Sequence, residues 1–231
     1  MEYTTMKKIL FLTALSLVSA AFANDYATFM KEANEAAKAK DIAAATAKYT
    51  QAYNAAADSK QKYSNVMKHA EFLRDMKKIQ EMTELLETEL RKDLYNNAMR
   101  QHMLWLQATP FMWDKVKYEY ALDKLNMALA MDGASKSSIL YGKIAHYAAM
   151  IHSYHKKDYA TVITLLEPLT KLQKSSYMLY QLYPMVANAY LQLGKKEEAL
   201  KNYQQALIHT KKMNKKTDKI EQKIKELSSE K

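Results

Sequence analysis

His152 and His155 stand three apart in a stretch of helical period, and two imidazoles so spaced on one helical face can hold a metal ion. No carboxylate lies within a turn to complete a site, although Asp158 follows shortly after. Met99 and Met103 flank His102, and soft thioethers beside an imidazole suit copper(I). The chain holds 15 Met, however, scattered along its length and mostly at apolar helical positions. That distribution reads as flexible core filler or an adaptable peptide-binding surface. The His and Met clusters are therefore expected to hold no metal, and no cofactor is implied.

Catalytic patterns are equally sparse. Gly133, Gly142 and Gly194 stand alone, so no Gly-rich phosphate loop is present. There is no GxSxG elbow, no HExxH and no Cys, which also excludes disulfides, thiolate zinc sites and a lipid-modified Cys. A non-enzymatic protein is expected. Trp105, Phe111 and Trp113 cluster around Pro110, as a packed joint between helices or as an exposed aromatic surface able to anchor a partner.

The elements that must position these residues are helices. Three Gly and three Pro in 231 residues leave little for the turns of a β-rich fold, and 48% hydrophobic residues suffice for a sizeable core. Residues 188–207, NAYLQLGKKEEALKNYQQAL, read as two helices separated at Gly194, where a left-handed cap suits glycine. Tyr190 faces inward on the first. Ala199, Tyr203 and Ala206 face back from the second, the two alanines allowing close approach of the backbones. Related triplets recur upstream: Ala45, Tyr49 and Ala52; Met82, Leu86 and Glu89; Ala121, Leu125 and Ala128; Val162, Leu166 and Leu169. Their first members are spaced 37, 39, 41 and 37 residues apart.

Tyr190, Gly194, Ala199, Tyr203 and Ala206 closely resemble the aromatic–Gly–Ala–aromatic–Ala pattern of the tetratricopeptide repeat, whose period is about 34 residues. The resemblance implies an all-α, right-handed solenoid of about five antiparallel helical hairpins with a C-terminal capping helix. It also implies a groove, lined by the first helix of each hairpin, that binds a peptide or protein segment. Helical geometry places Asn188 and Gln192 on that surface, off the packed Tyr190 face, with Tyr147, Ile151 and Tyr154 as candidates in the fourth hairpin.

Caps and breakers set the boundaries. Asp41 and Asp158 are expected N-caps within hairpins; residues 58–59, 132–135 and 174–176 are expected links. Pro110 should end a helix over roughly 93–109. Pro184 is tolerated if its helix begins just before it and kinks the helix otherwise.

Residues 6–23, MKKILFLTALSLVSAAFA, have the basic start, short apolar run and small-x-small end of a secretory leader cleaved after Ala23. The run is too short to span a bilayer, and no later segment is apolar enough. The expected organisation is a leader over 1–23, a repeat array over 24–209 and a Lys-rich cap over 210–231. The expected place is the periplasm of a Gram-negative type cell, or outside the cell. The formal charge is +10 and nearly all the excess is Lys, with Arg only at Arg74, Arg91 and Arg100. Lys is a solvated point charge without the planar fork that reads bases, so a sequence-specific nucleic-acid role is not expected. Lys211, Lys212, Lys215, Lys216 and Lys219 form a basic patch that could meet an acidic partner, an anionic membrane surface or the cell wall.

Overall fold

The computed structural model describes residues 25–133 and 135–229; the expected leader lies outside them. Among the described residues all regular structure is helical. The helices are α1 (25–38), α2 (Ile42–Ala55), α3 (Ser59–Asp75), α4 (Ile79–Leu90), α5 (Asn97–Ala108), α6 (Tyr118–Leu129), α7 (Ile139–Ile151), α8 (Tyr159–Leu172), α9 (Ser176–Gln192), α10 (Lys196–Lys212) and α11 (Asp218–Ser229). The chain is an all-α helical-hairpin repeat, and no described helix is long and apolar enough to cross a membrane. It divides into two compact units, with the boundary between Gln107 and Ala108.

In both units the second helix of each hairpin buries the same three places. Ala45, Met82, Ala121, Val162 and Ala199 are fully buried, and so are Leu86, Leu125 and Leu166 four residues on, with Tyr49 and Tyr203 nearly so. Seven residues on, Ala52, Ala128, Leu169 and Ala206 are buried, and in hairpin two the place goes to Glu89. A 3-4-residue stripe of this kind faces a helix inward along its whole length. In unit 2, Ile220, Ile224 and Leu227 of α11 close the end of the core formed by α7 to α10.

The hairpin turns share one device. Five residues ahead of the first buried position, Lys40, Lys77, Lys157 and Gly194 adopt left-handed backbone, with φ of 59°, 61°, 54° and 73°. At Lys40 the paired cap bonds run from the Lys40 N–H to the Ala37 carbonyl and from Asp41 to Ala36, each 3.0 Å. Lys77 and Lys78, and Gly194 and Lys195, repeat them. Asp41, Asp58, Ser138 and Asp158 then cap the following helices, their side chains accepting from the backbone N–H three residues on. A left-handed non-glycine residue costs about 1–2 kcal/mol, partly offset by the entropy glycine loses on folding. Lys40→Gly and Lys77→Gly are therefore expected to stabilise by about 0.5–1 kcal/mol each. Gly194→Ala should cost about 1 kcal/mol through conformation alone, since an added Cβ there meets nothing within 4 Å. Urea unfolding of the three variants measures all of this.

The link between α5 and α6 lacks the device. α5 ends at Ala108, and Pro110 sits at the start of a 3-10 turn, Thr109–Phe111. The helix also begins later than expected, at Asn97, after a turn whose carbonyls at Leu90 and Lys92 accept from the Arg100 guanidinium at 2.8 and 3.1 Å. Pro184 lies well inside α9, which begins at Ser176 as the expected link over 174–176 implies, so the condition for a proline tolerated at a helix start is not met. With no N–H, Pro184 cannot donate to the Tyr180 carbonyl.

Candidate functional site

Hairpins one and five share a polar pair that joins their two helices. In unit 1 the Tyr49 hydroxyl, on α2, donates to Asn34 Oδ1 of α1 at 3.2 Å; in unit 2 Tyr203, on α10, donates to Asn188 Oδ1 of α9 at 2.6 Å. Asn34 and Asn188 each lie eleven residues before the first buried position of their hairpin. Burial, then the charge of Glu71, raises the Tyr49 hydroxyl above its ordinary range; burial, then Glu226, does the same at Tyr203. Both phenols therefore stay protonated and donate, which fixes the asparagine oxygen as acceptor and leaves its amide N–H groups for something else. Asn188 and Gln192 are exposed on α9.

In unit 1 the consecutive first helices α1 and α3 bound a cleft of about 580 Å³ lined by Asn34, Ala37, Lys38, Lys68, Glu71 and Phe72, among others. Its floor is apolar at Ala37 and Phe72, and its rim carries both charge signs.

The fourth hairpin departs from its expected register. α7 ends in a π turn, His152–Lys156, and the N–H of Asp158 reaches back to the His152 carbonyl at 3.0 Å. A π turn inserts one residue into a helix. Counted back from the left-handed Lys157, Ile151 then takes the place of Ala189 rather than Asn188, and it is buried to 1% exposure. Ile151 is thus a core residue and leaves the candidate surface. Tyr147 is half-buried and Tyr154 is exposed.

The aromatic residues around Pro110 separate. Trp105 is half-buried in unit 1, 5.4 Å from the His102 ring. Phe111 and Trp113 belong to unit 2, where Phe111 packs edge-on against Tyr120 at 5.2 Å and Trp113 against Tyr154 at 5.4 Å. Of the three only Trp113 is exposed, at 54%. His155 stacks flat on Tyr118 at 4.3 Å and donates to the Met112 carbonyl at 2.9 Å, which ties the π turn to the loop after α5. His152 lies 3.3 Å from Asp158. Met103 is fully buried in the core of unit 1, so its thioether is enclosed by protein. Among the described residues no group of three His, Asp or Glu is arranged to hold a metal ion.

The constellation most perturbed by its surroundings was not singled out as a site in the sequence. Glu89 stands in the place that hairpins one, three and five give to Ala, and it is 4% exposed. Tyr53 donates to its Oε2 at 2.9 Å, Tyr95 donates to the same oxygen, and Lys92 reaches Oε1. Lys92 also donates to the Tyr53 hydroxyl at 2.9 Å. Burial, then the bond to Glu89, pushes the Tyr95 hydroxyl far above its ordinary range. Burial opposes the charge on Lys92, but the bonds to Glu89 and Tyr53 together outweigh it and hold its ammonium above its ordinary range. The visible signal was a charged residue in a slot otherwise reserved for small apolar ones.

His69 and His146 are held neutral. Burial lowers each to about 4 from 6.5, with Glu81 opposing weakly at His69, which also stacks on Tyr49 at 5.0 Å and lies 3.3 Å from Thr46. The unfolded chain takes up these protons near 6.5 and the folded chain only near 4. Stability is therefore full above 6.5 and falls as pH drops through that window, levelling off below about 4. Thermal melting across the window should show that decline, and His146→Phe should remove about half of it, leaving the part that His69 contributes.

Hairpins of two antiparallel helices, stacked so that each buries its neighbour's apolar stripe, define the class of helical-repeat proteins. Two crystal structures of MamA, a protein containing tetratricopeptide repeats, share the fold of this chain. The first is 17% identical with a TM-score of 0.58, covering 82% of this chain and 94% of that one. The second is also 17% identical with a TM-score of 0.58, covering 79% and 96%. At this identity the likeness is one of fold. No family model matches the sequence, and no curated protein matches it.

Proposed function

We propose that the protein is a non-catalytic interaction scaffold, exported from the cytoplasm, that holds a peptide or protein segment against the exposed faces of its first helices. The observation that carries the reading is the recurrence of the Tyr–Asn pair at the same register in both units, together with the cleft between α1 and α3. Amide donors fixed on a rigid helix, beside an apolar floor and a rim of mixed charge, suit an extended segment with both backbone polar groups and side chains. The Glu89 constellation fits a structural clasp, since its carboxylate is enclosed and already accepts from two tyrosines and a lysine. Export rests on the leader-like residues 1–23, and N-terminal sequencing of the protein from cells should begin at Asn24.

The reading is tested by affinity capture from envelope extract. The wild type should enrich one partner, and Asn188→Ala combined with Gln192→Ala should weaken that partner by about tenfold, the loss of one to two hydrogen bonds from a desolvated interface. Undiminished capture by the double variant would remove the first-helix face from the account.

A further inference from the structure

The links between hairpins in unit 2 make an edge of unusual composition. Neighbouring helices from α6 to α11 pack as antiparallel pairs, so the described link residues 130–133 and 135–138, 173–175 and 213–217 lie at the same ends of the helices. Direct contacts join them. Gln173 Nε2 donates to the carbonyls of Lys136 at 2.9 Å and Ser138 at 3.1 Å. His209, near the end of α10, lies 3.3 Å from the Ser176 hydroxyl at the start of α9.

The edge gathers lysines that are far apart in sequence. Lys136 comes from the first link, Lys171 precedes the second and Lys174 lies in it, and the five lysines from Lys211 to Lys219 lie in or beside the third; all are exposed. The acids here are Asp132, Asp218 and Glu221, the last paired with Lys211 at 3.2 Å. Between the lysines stand large apolar side chains facing water: Ile139, Leu172, Tyr177 and Ile208, between 41% and 48% exposed. The Lys143 ammonium sits 5.9 Å from the centre of the Tyr177 ring. At the other ends of the same helices charges nearly balance, as in Asp114–Lys115 and Lys157–Asp158.

We propose that this edge of unit 2 docks on the surface of a bilayer that contains anionic phospholipid. Each lysine near such a surface adds attraction that salt screens, and the four apolar side chains can enter the headgroup boundary. An acidic polymer in solution would neutralise the lysines and leave the apolar tips in water. A nucleic acid would be met without one arginine, since all three lie in unit 1.

The test is co-flotation of the protein with vesicles of phosphatidylcholine, alone or mixed with phosphatidylglycerol, at low and high salt. Binding is expected only to the mixed vesicles, and to disappear at high salt. Lys174→Glu with Lys215→Glu should lower it by about tenfold. Leu172→Ser with Ile208→Ser should lower it several-fold without changing its dependence on salt. These positions are exposed, and circular dichroism should show both double variants folded. Three outcomes would overturn the proposal: no flotation with mixed vesicles at low salt; flotation unchanged by the lysine pair; or equal binding of soluble polyglutamate or DNA, unaffected by the apolar pair, which would make the occupant a polyanion in solution.

Discussion

Glu89→Ala should destabilise unit 1 by about 3 kcal/mol. The repeat pattern alone gives the opposite expectation, because Ala is what hairpins one, three and five carry at that place. The structure decides the sign. The carboxylate is the acceptor for Tyr53, Tyr95 and Lys92, and deleting it leaves the hydroxyls of half-buried Tyr53 and buried Tyr95 without their acceptor. Each such loss costs about 1–3 kcal/mol. Lys92 is 40% exposed and recovers water, which keeps the total well below that of a fully enclosed ion pair. Glu89→Gln keeps one acceptor oxygen and should cost about half as much. Urea unfolding followed by circular dichroism reads both, and an Ala variant within about 0.5 kcal/mol of wild type would show the clasp to contribute nothing.

Tyr203→Ala should cost about 3–5 kcal/mol, the usual loss for a large aromatic side chain removed from a packed core. Tyr203 is 3% exposed, packed in the core of unit 2 with Ala199 and Val186 nearby in the same cluster, so little can move in to fill the space. Tyr203→Phe should cost only about 1 kcal/mol, the bond to Asn188. The contrast separates two jobs of one side chain: its ring holds the hairpin together, and its hydroxyl sets how Asn188 faces outward. Tyr203→Phe should therefore leave the fold intact and weaken partner capture, whereas equal losses for Phe and Ala would assign the whole effect to the hydroxyl.

The hairpins were legible because close helix packing demands small or inward apolar residues at fixed intervals, and Ala45, Ala121 and Ala199 carry that demand in the sequence itself. The turns were harder to see. Only one of the four left-handed positions in the turns within hairpins is glycine, and lysine at Lys40, Lys77 and Lys157 gives no sign of the conformation it adopts. The register of hairpin four was hidden for a related reason. A π turn adds a residue without any change in composition, and that one residue moves Ile151 from the outer face into the core. Asn188 could be placed by helical geometry, but its tie to Tyr203 could not, and neither could the matching tie between Asn34 and Tyr49. Glu89 was visible as an odd residue in a repeated slot, though its partners Tyr95 and Tyr53 lie 6 and 36 residues away along the chain. The basic edge was half legible: the run from Lys211 to Lys219 is contiguous, whereas Lys136, Lys171 and Lys174 join it only through folding.

The most direct measurement is site-specific photo-crosslinking in cells, with a photoreactive residue placed in turn at Asn34, Asn188 and Gln192 on first helices and at Gln204 and Gln205 on the exposed side of α10. The account predicts that one partner is captured from the three first-helix positions and not from the two on α10. Capture from Gln204 and Gln205 alone, with none from Asn34, Asn188 or Gln192, would contradict it.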